Sequence, residues 1–172
     1  RPSYALTLKD SAADIRLAGF TFAARSLADQ LGDIPQTAPE KLSAELRYML
    51  SYAASRSAED LARAEAILQR VRDQLLVAIG DDGLLLTPTT PQAAFLHSGR
   101  PPVTGASYTG LANIAGLPAL SVPAGVNDDG LPVAVQLIGP AGSETRLIAA
   151  ARALEIGLGG FVPSPILDNN LG

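Results

Sequence analysis

The stretch that decides the predicted fold is N-I-A-G-L-P-A-L-S-V-P-A-G, residues 113–125. It has two prolines, two glycines and no side chain that titrates near neutral pH. Small and bulky side chains alternate over residues 119–122, and alternate residues of a β-strand face opposite sides of the sheet. This strand is therefore predicted to have one apolar face and one face that other backbone can approach closely. The residues before it, 113–116, predict a tight corner.

A second strand and a helix are predicted after this stretch. The strand covers about 133–138 and follows a turn signal at 127–130. Each of the two strands has a proline at its entrance and another just past its end, where no ladder hydrogen bond is lost. Residues 143–155 have helical apolar spacing, and the glycines after them end the helix. Helices that cover a sheet define the α/β class.

Upstream of the stretch, the sequence is mainly helical. Residues 57–60 place a hydroxyl and an acid three positions apart, as a capping box does, and an apolar stripe follows up to Gly80. We expect one long helix there, lying on a sheet rather than forming a coiled coil, because the stripe spans barely three heptads. Another helix is expected at about 40–54, and residues 11–31 predict a broken or glycine-interrupted helix.

Between the long helix and the stretch, residues 84–86 predict a short buried strand. A proline-rich loop to about Gly105 and a short helix at 107–114 follow it. We expect one partial domain over the whole chain. It comprises a poorly defined helical lead at 1–39, helices at 40–80, strands, loops and a final helix at 81–160, and a tail at 161–172.

Composition narrows the class of protein. The 172 residues are 47% hydrophobic and 17% charged, which is typical of a globular protein. A net charge of −4 argues against nucleic acid or an anionic membrane as partner, and no apolar run is long enough to span a bilayer. No cysteine and no signal peptide are present, and we expect a cytoplasmic protein. Because the chain opens on Arg1 rather than Met, we expect it to be a piece of a longer product.

The sequence shows no complete catalytic set. His97 is the one histidine, no serine lies in a G-x-S-x-G elbow, and no cluster of ligands predicts a metal site or a cofactor. His97 is expected to be a surface or loop residue, although a new activity using it stays open. Lys9 and Lys41 are expected to be solvated charges.

Three ordered blocks carry a family resemblance. They are D-G-L-L-L-T-P-T-T-P at 82–91, the stretch at 113–125, and D-G-L-P-V-A-V-Q-L-I-G at 129–139. In order and spacing they resemble the C-terminal part of amidase-signature hydrolases. The resemblance implies a mixed β-sheet flanked by helices, and hydrolysis of the carbon–nitrogen bonds of carboxamides. Residues 40–82 fit the family loosely.

The resemblance also implies a catalytic set that this chain lacks. The family uses a serine nucleophile, a second serine joined through a cis peptide, and a lysine base, with the oxyanion held by backbone amides of a Gly/Ser-rich stretch. No such stretch is present here, and Lys9 lacks the glycine-bearing strand of the family lysine. No catalytic residue is therefore assigned, and the isolated chain is expected to be inactive. The partner would be an N-terminal catalytic portion, on the same gene product or on another chain.

Tyr108, Thr109 and Asn113 are the candidate residues of the substrate pocket, because the matching family segment lies near the acyl pocket. The alternative is that the tyrosine packs and the asparagine satisfies a turn. Members of the family that use glutamine carry an acid shortly before this threonine. Residues 105–107 are Gly, Ala and Ser, which argues against that branch.

Two functions from different classes remain open. The chain is either the C-terminal portion of an amidase, supplying sheet and pocket wall, or a non-catalytic binding or scaffold module that keeps part of the fold. A small-molecule amide is the expected substrate or ligand. Exposed strand edges favour self-association, so a homo-oligomer is possible.

Overall fold

The computed structural model describes residues 5–161. These residues form two compact units, one ending at Gln74 and the other beginning at Leu75. The prediction that the chain is one partial domain stays a prediction. The α/β class is confirmed, since helices and a small sheet are both present. The predicted tail lies, from residue 162 onward, outside the described residues.

The first unit is helical. It contains α1 (Ala12–Leu31), the short α2 (Ile34–Thr37), one turn of 3-10 helix (Pro39–Lys41), α3 (Ala44–Ala54) and most of α4 (Ala58–Ile79). The α1 and α3 helices pack against each other. At this contact the rings of Phe20 and Tyr52 meet edge to face, with centroids 5.0 Å apart. The hydroxyls of Thr21 and Tyr52 lie 2.8 Å apart.

The prediction that the α1 region is a broken helix was wrong. The helix runs without a break through Gly19 and ends at Gly32, whose φ of 55° is left-handed. A glycine inside a helix costs about 1 kcal/mol relative to alanine. Burial of Ala18 and Ala24 in the same helix offsets that cost. The sequence pattern did not show this packing because α3, which packs on α1, lies further along the chain.

The α4 helix begins and ends where the sequence predicts. The backbone N–H of Asp60 donates to Ser57 Oγ, and the N–H of Ser57 donates to the Asp60 carboxylate, both at 3.1 Å. This reciprocal pair is the predicted capping box. The predicted stripe is buried at Ala64, Val71 and Leu75, and Gly80 follows the last helical residue with a φ of 58°.

The second unit is built on three antiparallel strands, counted over the described residues. They are β1 (Leu85–Pro88), β2 (Ala119–Val126) and β3 (Pro132–Ile138), in the order β1-β3-β2. The α5 helix (Thr109–Ala115) precedes β2, and α6 (Glu144–Leu158) follows β3. Residues 89–108 form the predicted long loop. The turn at 127–130 is also present, since Gly130 N–H donates to the Asn127 carbonyl at 2.9 Å.

One face of the sheet packs against α6. Val122 and Leu137, from neighbouring strands, form a buried cluster with Leu147 and Ala151 of the helix. Leu120 and Val135 extend this cluster on the same face, whereas Ala119 and Ser121 are exposed. The predicted alternation of apolar and small residues in β2 is therefore confirmed. The helix that packs on the sheet in this unit is α6.

Two predictions about the strands were wrong. The strand predicted at 84–86 as buried is β1, an edge strand on which Leu86 is 53% exposed. Pro123, expected just past the end of its strand, lies inside β2 opposite Ala134. It is tolerated because the register shifts between Pro123 and Val126, and a proline at such an irregularity removes no regular ladder bond.

Candidate functional site

A row of polar side chains crosses the sheet on the face opposite α6. Thr87 of β1 and Ser121 of β2 both pair with Gln136 of the central strand. Residues directly opposite each other in antiparallel strands share a face, so these three side chains lie side by side. Just beyond β1, Thr89 adds a fourth polar group, with its Oγ1 at 2.8 Å from Ser121 Oγ. We call Thr87, Thr89, Ser121 and Gln136 the polar row.

Gln136 joins this row to the start of α5. Its side chain is buried, and its Nε2 donates to the backbone carbonyl of Tyr108 at 3.3 Å and contacts Thr87 Oγ1 at 3.5 Å. The backbone immediately before α5 therefore lies over the polar face of the sheet. Hydrogen bonding offsets the cost of burying the Gln136 amide.

Of the candidate pocket residues, Tyr108 and Thr109 lie at this N-terminal end of α5. Tyr108 precedes the helix and Thr109 is its first residue, and both side chains are half-buried. The Tyr108 carbonyl also accepts the first helical bond, from Leu111 N–H at 3.1 Å. The structure thus brings the Tyr108 backbone to the polar row, and Thr109 follows it in the chain.

Asn113 lies at the other end of α5, where the side chain is exposed. The corner is formed by backbone bonds, from Gly116 N–H to the Asn113 carbonyl at 3.2 Å and from Leu117 N–H to the Ala112 carbonyl at 3.0 Å. Gly116 has a φ of 67°, the left-handed conformation that ends a helix and favours glycine. The expected tight corner is present, and its bonds come from the backbone.

The polar row carries no charged side chain. Among the described residues, the carboxyls with displaced pKa values lie in the first unit. Hydrogen bonds from Arg70 lower the pKa of Asp10, and hydrogen bonds at helix starts lower those of Glu45 and Asp60. The hydroxyls of the polar row can exchange neutral hydrogen bonds with a bound molecule, whereas the Gln136 amide is buried and bonded to the Tyr108 carbonyl. The row can contribute no charge.

Among the described residues, the charged and metal-binding candidates do not belong to a cluster of functional side chains. His97, Lys9 and Lys41 are exposed. Within residues 5–161 no three His, Cys, Asp or Glu side chains lie close enough together to hold a metal ion. Across the same residues, no helix combines the length and the apolar character that a membrane span requires.

Sequence analysis missed the polar row. The available signal was the single polar residue in the apolar strand V-A-V-Q-L-I, together with two threonines at alternate positions, 87 and 89. Neither pattern shows which residues lie opposite each other, because strand register depends on tertiary pairing.

The α/β fold, with one sheet face under a helix and the other carrying polar groups, agrees with the class of hydrolases that the sequence blocks resemble. A family model described as Amidase matches residues 3–148. The chain belongs to the amidase signature family. This confirms the resemblance seen in the three sequence blocks.

Named relatives and a solved structure agree with this assignment. One relative is a subunit of the glutamyl-tRNA(Gln) amidotransferase of Maricaulis maris (strain MCS10), 39% identical over 108 residues, which are 60% of this chain and 22% of that protein. Fatty-acid amide hydrolase 2 of Homo sapiens is 32% identical over 132 residues, 75% of this chain and 23% of that protein. A crystal structure of an amidase matches the fold with a TM-score of 0.70 at 23% identity, covering 86% of this chain and 36% of that one.

The chain therefore spans about a fifth of these curated relatives, at 22% and 23% of their lengths. The relatives include one component of an amidotransferase, so the argument against that branch of the family stays a prediction.

Proposed function

We propose that this chain is the C-terminal portion of an amidase that hydrolyses the carbon–nitrogen bonds of carboxamides. In this proposal the second unit supplies the sheet scaffold and one wall of the substrate pocket. Family membership and the similarity to an amide hydrolase and to one component of an amidotransferase support the reaction class.

The observation that carries the pocket role is the two-sided sheet. The α6 helix and its apolar cluster cover one face. The other face presents the polar row and the N-terminal end of α5, including Tyr108. Binding pockets combine apolar or aromatic walls with a few placed polar groups. In this proposal the polar row supplies the polar groups and Tyr108 supplies the aromatic wall.

The proposed reaction is acyl transfer through a serine ester. The serine oxygen attacks the carboxamide carbon, and the carbon–nitrogen bond breaks as a lysine returns the serine proton to the leaving amine. Water then attacks the ester, which releases the carboxylic acid and restores the serine. We place both catalytic side chains outside this chain, on the same gene product or on a partner chain. The segment alone would then bind without turnover.

The alternative is a module that binds small amides or acts as a scaffold without hydrolysis. The two proposals differ in what the complete gene product does with simple carboxamides. Benzamide, propionamide and L-glutamine provide an aromatic, an aliphatic and an amino-acid substrate, and released ammonia reports turnover. Ammonia release supports the amidase, whereas binding of benzamide without ammonia release supports the alternative.

Tyr108→Ala in the complete gene product tests the pocket role. Removing an aromatic side chain from a pocket wall loses about 1–3 kcal/mol of binding, so we expect the KM for the preferred amide to rise by about fivefold or more. Tyr48→Ala is the matched control, because Tyr48 is 67% exposed and belongs to the first unit. Equal KM values for wild type and Tyr108→Ala would contradict the pocket role.

A further inference from the structure

Gln136 is a buried amide in an otherwise apolar strand. Its side chain is 4% exposed, between Val135 and Leu137 in the central strand. A buried amide costs free energy unless its hydrogen bonds are made, and an apolar residue of the same shape would avoid that cost. Packing alone therefore does not explain why position 136 carries a polar side chain.

The two partners of Gln136 fix the orientation of its amide. A backbone carbonyl can only accept, so the group facing the Tyr108 oxygen at 3.3 Å must be Nε2. The same nitrogen has a second hydrogen for Thr87 Oγ1, 3.5 Å away. The Tyr108 oxygen also accepts from Leu111 N–H, so both of its lone pairs are used.

Local turns shape the segment before α5 without tying it to the sheet. The N–H groups of Gly105, Ser107 and Gly110 donate to carbonyls three or four residues earlier, at 2.9–3.1 Å. Thr104 Oγ1 donates to Gln92 Oε1, which belongs to the same loop. Over the described residues, the hydrogen bond that ties 102–110 to a strand is the one from Gln136 to Tyr108.

We infer that Gln136 is a positioning residue, whose amide holds the Tyr108 backbone and the start of α5 at the polar face of the sheet. The functional part of this inference rests on the proposed pocket role of Tyr108. Gln136 would then act on substrate binding through Tyr108, without touching the substrate.

The test places 3-fluorotyrosine at position 108 of the complete gene product and compares its 19F NMR signal among variants. Gln136→Met keeps the length of the side chain and removes the donor. Gln136→Glu can donate to the Tyr108 carbonyl only while its carboxyl is protonated. Gln69→Met is the matched control, because Gln69 Nε2 donates at 2.9 Å to Asp73 on the exposed surface of α4.

We expect Gln136→Met to shift or broaden the 19F signal and to raise the KM for the preferred amide by about three- to tenfold, the equivalent of one lost hydrogen bond. The kcat should change by less than about twofold, because no reacting group is removed. For Gln136→Glu the signal should resemble wild type at low pH. It should move toward that of Gln136→Met as pH rises, because only the protonated carboxyl donates. Gln69→Met should match wild type throughout.

An unchanged 19F signal in folded Gln136→Met would overturn the inference, as would a Gln136→Glu signal that matches that of Gln136→Met even at low pH. If Gln136→Met does not fold, the 19F signal of Gln136→Glu alone tests the inference. A shifted signal with no effect of Tyr108→Ala on KM would instead contradict the pocket role and leave the positioning of Tyr108 established.

Discussion

Four serines stand at the N-terminal ends of helices and differ in what their hydroxyls do. Those of Ser11, Ser43 and Ser57 accept hydrogen bonds from backbone N–H groups three residues later, at 3.1–3.2 Å. Ser143, before α6, makes no such bond, and its hydroxyl is buried with no partner among the described residues. The Ser143 hydroxyl occupies the space that a Cβ on Gly139 would need. The same residue type in the same position is thus a cap in three helices and an unsatisfied group in the fourth.

Replacing these serines should therefore have opposite effects. Ser57→Ala removes a working cap and should lower the free energy of unfolding by about 1 kcal/mol. Ser143→Ala removes a buried hydroxyl without a partner, and stability should stay unchanged or rise by up to about 1 kcal/mol. Urea denaturation of the complete gene product measures both. A loss of about 1 kcal/mol in Ser143→Ala would show that its hydroxyl acts as a cap in solution.

Asp10 and Arg70 form a bidentate salt bridge in the first unit. The guanidinium donates from Nη2 to Oδ1 at 2.7 Å and from Nε to Oδ2 at 3.1 Å. These bonds hold the pKa of Asp10 below its usual value. The pair joins the segment before α1 to α4, and the backbone N–H of Lys9 donates to Gln74 at 3.3 Å beside it.

The pH dependence of stability follows from the lowered pKa of Asp10. Stability from a carboxyl with a depressed pKa is fully present above the unfolded-state pKa, about 3.9, and is lost as pH falls through the folded-state value. Asp10→Asn should be less stable than wild type at pH 7. The difference should shrink below about pH 4 and vanish in stronger acid. Urea midpoints of both proteins at several pH values check this, and a difference that persists or grows in acid would contradict the ion-pair account.

At the scale of elements, the contact between α6 and the sheet forms the core of the second unit. Leu147 is 2% exposed in the apolar cluster, whereas its neighbour Ile148 is 48% exposed on the same helix. Leu147→Ala should lower the free energy of unfolding by about 2–5 kcal/mol, because it leaves a cavity. Ile148→Ala should lower the free energy of unfolding by less than about 1 kcal/mol, apart from a small effect of the changed helix propensity. Equal losses in the two variants would contradict the assigned face of α6.

How far the sequence could predict these elements depended on where their determinants lie. The α4 helix was predicted with both ends, because its cap and its terminal glycine are local signals. The α1 helix was not predicted as continuous, because its stabilisation comes from packing on α3. The burial of β1 was also mispredicted, since three consecutive leucines do not show that their strand lies at the edge of a sheet.

The candidate site shows the same limit. Tyr108 and Thr109 were proposed as pocket residues because they stand in a recognisable family segment, and their pocket role stays a prediction. The structure places the Tyr108 backbone at the polar row. Thr87, Ser121 and Gln136 are 15 or more residues apart in sequence and meet through strand register. A single sequence carries no direct signal for that register.

At the scale of the whole molecule, the second unit leaves large apolar side chains exposed. Leu86 and Val126 lie on the edge strands of the sheet, and Leu96 and Val103 lie on the long loop. Under the proposed function, we expect the catalytic portion of the amidase, or a second copy of the chain, to cover these side chains. Size measurement of the complete gene product in solution distinguishes a monomer from an oligomer.

The most direct test of the central claim is to locate the acyl group during turnover. The complete gene product, with any chain that copurifies with it, is mixed with benzamide, quenched rapidly in acid and mapped by mass spectrometry. The proposed function predicts a benzoyl ester on a serine outside residues 1–172. A benzoyl group on a residue within this chain would contradict it.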